Sequence, residues 1–169
     1  MATVRVEHVF NCSEDTYWGK LFFEDEYNRR MFRDALGFPS YEKVSQTDRG
    51  DTIERVVELV PPTGELPGPL KKLIGDGLGY RESGRFDKQR RRFEVSITPN
   101  KLADKITITG VLRTEPTSDG KCRRIYEGSV EARVFGVGGM IEKRVISDVE
   151  QNYAKAAAFT NQYLIEQGL

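Results

Sequence analysis

Four polar side chains sit in strand-like segments that otherwise alternate apolar and polar residues, and any chemistry of this chain would begin with them. His8, the single histidine, shares a face with Val4, Val6 and Phe10; Arg55 lies between Ile53 and Val57, Glu82 between Tyr80 and Gly84, and Arg124 shares the face of Tyr126. A charge moved out of water into an apolar layer needs a partner, because its desolvation is offset only by pairing or hydrogen bonding. Arg55 and Glu82 belong to consecutive strand segments and could pair with each other. Alternatively, Arg55 or Arg124 meets the polar end of a ligand whose remainder is apolar. His8 reads as a hydrogen-bonded core or cavity residue, with acid–base work as the sharper alternative. The spacings of a nucleophilic triad, a zinc site or a calcium loop are all absent. The sequence therefore assigns no catalytic residue, no metal ligand and no cofactor.

Three further features weigh less. Cys12 and Cys122 have neither metal-ligand nor C-x-x-C spacing and read as reduced structural thiols. Gly136, Gly138 and Gly139 lack the endings of a phosphate loop and read as the turn from a last strand into a helix. Lys88-Gln89-Arg90-Arg91-Arg92 is the one dense basic cluster and reads as a solvated hairpin turn. If the ligand is apolar, Arg90, Arg91 and Arg92 together with Lys71 and Lys72 would touch an anionic membrane during loading, each contributing about 1 kcal/mol.

The bulk properties bound the alternatives. With 26 Lys plus Arg against 26 Asp plus Glu, the molecule offers no net field to nucleic acid. No basic region with an apolar stretch opens the chain and no apolar run approaches the ~18 residues of a membrane span, so a cytoplasmic location is expected. A length of 169 residues fits one domain over 1–169.

The elements that would position these residues follow from periodicity. Residues 3–10 alternate as a half-buried strand, Ser13 stands at a helix N-cap, and Tyr17, Leu21, Tyr27, Met31 and Leu36 recur at helical intervals broken near Phe23 to Asp25, predicting two short helices. Six strand-like segments follow, at about 41–47, 52–60, 79–87, 91–98, 105–114 and 121–134, and their short polar turns imply an antiparallel meander. Pro61 to Gly77 interrupts them with four prolines and four glycines, an ordered loop with one helical turn that serves as a lid or as a packed crossover. From Ile141 through Val145, Val149, Tyr153, Ala156 and Thr160 the apolar residues repeat at three or four, predicting a long amphipathic terminal helix. The class is α+β.

The order of strand, two short helices, six antiparallel strands and long terminal helix resembles the START-like (SRPBCC, helix-grip) superfamily. The stretches from His8 to Tyr27 and from Gly128 into the last helix are similar to bacterial START-like families of unassigned function and, more distantly, to VASt-type sterol- and lipid-transfer domains. The resemblance implies a cavity between a curved sheet of about seven strands and the terminal helix. Its expected lining is Arg55, Val57, Phe93, Val95, Ile108, Leu112, Tyr126 and Val130 from the strands, and Val149, Tyr153 and Ala156 from the helix. Gly84, Gly110 and Gly128, which interrupt three strands, are expected to curve the sheet and leave room above it. The function implied is binding or transport of a hydrophobic lipid or sterol-like molecule. Two alternatives stand beside it: an enzyme of the polyketide cyclase type using His8, Tyr126 or Glu82, or an interaction module with a closed cavity.

Overall fold

The computed structural model describes all 169 residues. Strand β1 (Ala2–Phe10) buries Val4 and Phe10 and leaves Arg5 and Glu7 in solvent, the alternation expected of a half-buried strand. Helix α1 (Glu14–Thr16) starts at Ser13, whose hydroxyl accepts from the Thr16 N–H at 3.1 Å, and continues as a wide π-helical turn, Tyr17–Leu21. Helix α2 (Asp25–Arg29) runs on into a second π-helical turn, Arg30–Ala35. Such widened turns insert a residue into the helical period, and the sequence carries no signal for them.

The remaining strands are β2 (Ser40–Asp48), β3 (Thr52–Val60), β4 (Tyr80–Asp87), β5 (Arg92–Pro99), β6 (Ile106–Pro116) and β7 (Cys122–Ala132). They form one antiparallel sheet in the order β1-β7-β6-β5-β4-β3-β2, so the first strand closes one edge beside the last. Between β3 and β4 lies α3 (Gly68–Ile74), and α4 (Gly138–Gln167) ends the fold as a 30-residue helix. This is the α+β helix-grip architecture. No helix is long and apolar enough to cross a membrane.

The aromatic core explains where the short helices sit. Trp18 stacks on Phe86 at 4.3 Å, and Phe22 meets Phe93 edge-on at 5.0 Å, so α1 lies over β4 and β5. The Trp18 indole N–H donates to the Thr114 hydroxyl at 2.8 Å, and that hydroxyl donates to the buried Glu14 carboxylate at 2.6 Å. Arg91 completes the chain with a 2.9 Å bond to Glu14, which satisfies a carboxylate that would otherwise be costly to bury.

Helix α4 packs on β1, β7 and the π-helical turn that continues α2. The Asn161 side chain accepts from the Asn11 N–H at 2.9 Å and donates to Val9 O at 3.1 Å, clipping the helix to the end of the edge strand. Tyr27 and Thr160 hydroxyls meet at 2.7 Å, tying α2 to the same helix. At the other end the Glu142 carboxylate accepts from the Ala132 N–H at 3.0 Å.

Gly136 turns the chain with φ +78 before α4 begins. The next two glycines differ: a Cβ on Gly138 would collide with the Ala132 carbonyl, whereas one on Gly139 meets nothing within 4 Å. Gly138→Ala is therefore expected to cost about 1–3 kcal/mol of stability, while Gly139→Ala is neutral or gains up to about 1 kcal/mol. Urea denaturation of the two variants checks the pair.

Candidate functional site

Helix α4 packs on β1 and β7, and over the concave face of β3 to β6 its inner side is joined by α1, α2 and the segment from Pro61 to Leu78. Beneath this roof lies a cavity of about 290 Å³, with 25 of its 37 wall residues hydrophobic. Val95, Ile97, Ile106 and Ile108 point into it and are only partly buried although they stand on the inner face, as are Val145, Val149 and Tyr153 on α4. Nine residues expected from the sequence line it: Arg55, Phe93, Val95, Ile108, Leu112 and Tyr126 from the sheet, Val149, Tyr153 and Ala156 from α4.

Val57 and Val130 do not. Both point inward and are fully buried, at 1% exposure each. Val57 is covered by Leu36 and Phe38 of the chain leaving α2, which form a small separate core with it and Leu59. Val130 lies toward the α4-covered edge, opposite Ile108 and Ala2 in its neighbouring strands. His8 faces Arg124, 3.4 Å from its guanidinium, and is not part of the cavity wall. Burial, then the Arg124 charge, lowers its pKa.

The strand glycines do not leave the room expected of them. Arg55, Gly84, Val95, Gly110, Gly128 and Val4 face one another in a single row across the sheet. The Phe93 ring lies where a Gly84 side chain would be, and the Tyr126 ring covers both Gly110 and Gly128, where a Cβ at residue 128 would stand 2.7 Å from the Tyr126 hydroxyl. The glycines thus admit two rings flat against the sheet. Tyr126 in turn stacks on Tyr153 of α4 at 4.6 Å, so the rings hold sheet and helix apart above the row.

The prolines and glycines of the roof segment mark it as a loop, but its share of the wall comes from other residues. Leu66, Leu70, Ile74 and Leu78 line the cavity, and their recurrence every four residues is the signal available in the sequence. The segment is latched at its two ends. Arg144 of α4 donates to Thr63 O at 3.3 Å and Glu65 O at 3.5 Å while pairing with Asp148. The Asn100 side chain accepts from the Gly79 N–H at 2.9 Å and donates to Gly77 O at 2.8 Å.

Two buried guanidiniums reach this region without carboxylate partners. Arg55 donates to Phe22 O at 2.8 Å and lies 4.4 Å over the Phe22 ring, with Phe23 and Phe93 at 5.4 Å. Arg124 donates to Tyr153 O at 3.0 Å between the rings of Phe10 and Tyr153. Carbonyl dipoles and ring faces stand in for counter-ions here. The expected Arg55–Glu82 pair is not formed, although the two stand on adjacent strands. Glu82 faces the cavity with no hydrogen bond, and burial, opposed only by the charge of Arg55, holds its carboxyl above the ordinary range. Burial likewise pushes the Tyr126 hydroxyl up to about 12.

Elsewhere the expected sites are quiet. The basic cluster sits at the opposite end of the sheet and is neutralised: Lys88 pairs with Asp48, Arg90 with Asp87, Arg91 with Glu14 and Asp15, and Arg92 with Glu94. Cys12 and Cys122, distant in sequence, are free thiols in the same core cluster. No group of three or more His, Cys, Asp or Glu side chains could hold a metal ion. A larger depression of about 1000 Å³ lies on the outer face of the sheet, but it is open, with only 4 of its 18 lining residues hydrophobic and short polar residues such as Ser83, Ser96, Thr109 and Ser129 around it.

An acid whose folded pKa lies above its unfolded value of about 4.3 holds its proton more tightly in the native state, so its ionisation subtracts stability as pH rises through that interval. Glu82→Gln should therefore be more stable than the parent at pH 7, with the difference vanishing below about pH 4. Thermal unfolding of both proteins across that range checks it; a variant less stable at pH 7 would contradict an unsatisfied Glu82.

Comparison with known proteins agrees with this architecture. The chain superposes on a crystal structure of a Thermus thermophilus protein with a TM-score of 0.66 at 14% identity, covering 99% of this chain and 100% of that one. Norcoclaurine synthase from Thalictrum flavum gives 0.65 at 16% identity over 98% and 87%, and has also been solved in complex with dopamine and hydroxybenzaldehyde. The Bacillus cereus protein XoxI gives 0.62 at 16% over 100% and 99%. These are START-like folds. No curated protein matches the sequence. Residues 5–164 match the family described as Protein of unknown function (DUF2505), and the chain belongs to that family.

Proposed function

We propose that this member of the DUF2505 family is a non-enzymatic carrier or sensor that binds a hydrophobic, lipid or sterol-like molecule between the sheet and α4. The observation that carries this reading is the cavity itself, a hollow of about 290 Å³ walled mainly by apolar side chains under a latched roof. Its volume is about twice that of a cavity that takes one benzene, so the closed form suits a body of about two rings, and a full sterol requires the roof to move. Burying some ~300 Å² of apolar ligand surface offers about 7 kcal/mol before the costs of binding. That a structure of similar fold has been solved with small aromatic molecules supports the same use of the interior.

The proposed contacts are Phe93, Val95, Ile108, Leu112 and Val149 for the apolar body, Tyr126 and Tyr153 along its edge, and Arg55 toward its polar end. Contact with an anionic membrane during loading would fall to Lys71 and Lys72 on α3 beside the roof, because the cations from Lys88 to Arg92 are already paired. A cyclase-like reading keeps Glu82 and Tyr126, which face the cavity, and loses His8, which does not.

Native mass spectrometry of freshly purified protein should show a retained hydrophobic adduct that solvent extraction releases. Ala156→Phe, which places a ring into the cavity, should fold and lose the adduct. An adduct-free parent protein, or an unchanged one in the variant, would count against the proposal.

A further inference from the structure

Within the cavity the charges are unequally provided for. Arg144 has Asp148, Arg124 has the Tyr153 carbonyl and two rings, and Arg55 has the Phe22 carbonyl and three rings. Glu82 has no hydrogen bond from the protein at all. It stands opposite Val57 on β3, two positions along from the Arg55–Gly84 pair, so its side chain and that of Arg55 enter the cavity as diagonal neighbours on the same face. Gly84 carries no side chain of its own there, and the Phe93 ring takes the place of its Cβ. Two opposite charges at diagonal separation, both facing a hollow and not touching, leave between them a position that can accept from one and donate to the other.

We propose that this position binds a hydroxyl group of the ligand: its oxygen accepts from the Arg55 guanidinium and its hydrogen is donated to the Glu82 carboxylate. The ligand class is thus an apolar alcohol or phenol with a body of about two rings, and Glu82 with Arg55 sets that specificity. A ligand ammonium meets Glu82 but is repelled by Arg55 and Arg124; a ligand carboxylate meets the arginines but is repelled by Glu82. A hydrocarbon leaves both groups of the protein unsatisfied, the situation in which a hydrogen-bonding site discriminates most strongly. The inference rests on the cavity being the binding site.

The test is calorimetric titration of the intact protein at pH 7 with four probes sharing one two-ring body: 2-naphthol, naphthalene, 2-naphthoate and 2-(aminomethyl)naphthalene. The expected order places 2-naphthol at least about ten-fold tighter than each of the others. Glu82→Leu should shrink the naphthol-to-naphthalene ratio to near unity. Naphthoate or the amine binding most tightly, equal affinities, or a ratio unaltered in Glu82→Leu would each overturn the hydroxyl assignment while leaving the cavity reading in place. Failure of all four to bind would overturn the cavity reading and this inference with it. The wild-type series decides the matter even where the variant does not fold.

Discussion

One α-helix, about 10–12 Å across with its side chains, cannot cover seven strands spaced about 4.8 Å apart. That mismatch governs the rest of the molecule. Helix α4 is committed to the β1–β7 edge by Asn161, Glu142 and the Tyr27–Thr160 contact. The inner face of β3 to β6 must then be covered by whatever else the chain supplies: the aromatic side chains of α1 and α2 at one end, the α3 segment at the other. The first cover is dense, a run of rings from Phe10 and Tyr17 through Trp18 and Phe22 to Phe86 and Phe93. The second is thin, a few Leu and Ile side chains on a segment latched at its ends, and the hollow lies between that segment, the inner side of α4 and the sheet.

The same mismatch explains how the protein tolerates charge inside. Arg55 and Arg124 lie where the dense cover meets the sheet, and rings are the material at hand. Their faces and two backbone carbonyls hold both guanidiniums without a carboxylate, although the buried Arg124 Nε has no hydrogen bond. Glu82, on the side of the hollow, accepts no hydrogen bond from the protein. A sheet residue that stays ionisable and accepts no hydrogen bond is costly to stability, and the packing around Glu82 supplies nothing that offsets this.

Much of this was legible in the sequence because it depends on local period. Alternation located the strands, recurrence at three and four located α4, and the break near Phe23 separated α1 from α2, whose second segment begins at Asp25. Inward parity also picked out nine of the 37 wall residues. What parity cannot show is what lies above an inward residue: Val57 and Phe93 have the same pattern, yet Leu36 and Phe38 close over the first while the second borders the hollow. The glycine row misled for a related reason. Gaps at Gly110 and Gly128 looked empty because the ring that occupies them comes from Tyr126, a residue of the same β7 strand as Gly128. The pairings of Arg91 with Glu14 and of Cys12 with Cys122 as core neighbours join distant parts of the chain and leave no trace in local spacing.

Family membership and the START-like fold fix the framework, and the proposed ligand site is the space between the sheet, α4 and the α3 segment. The most direct test is methyl NMR of the ¹³C-labelled protein during titration with naphthalene. Ring-current shifts should appear at Val95, Ile108 and Val149, which line the cavity, and be absent at Val57 and Val130, which are buried outside it. Shifts confined to Val56 and Val111 on the outer face of the sheet, or none at saturating probe, would contradict it.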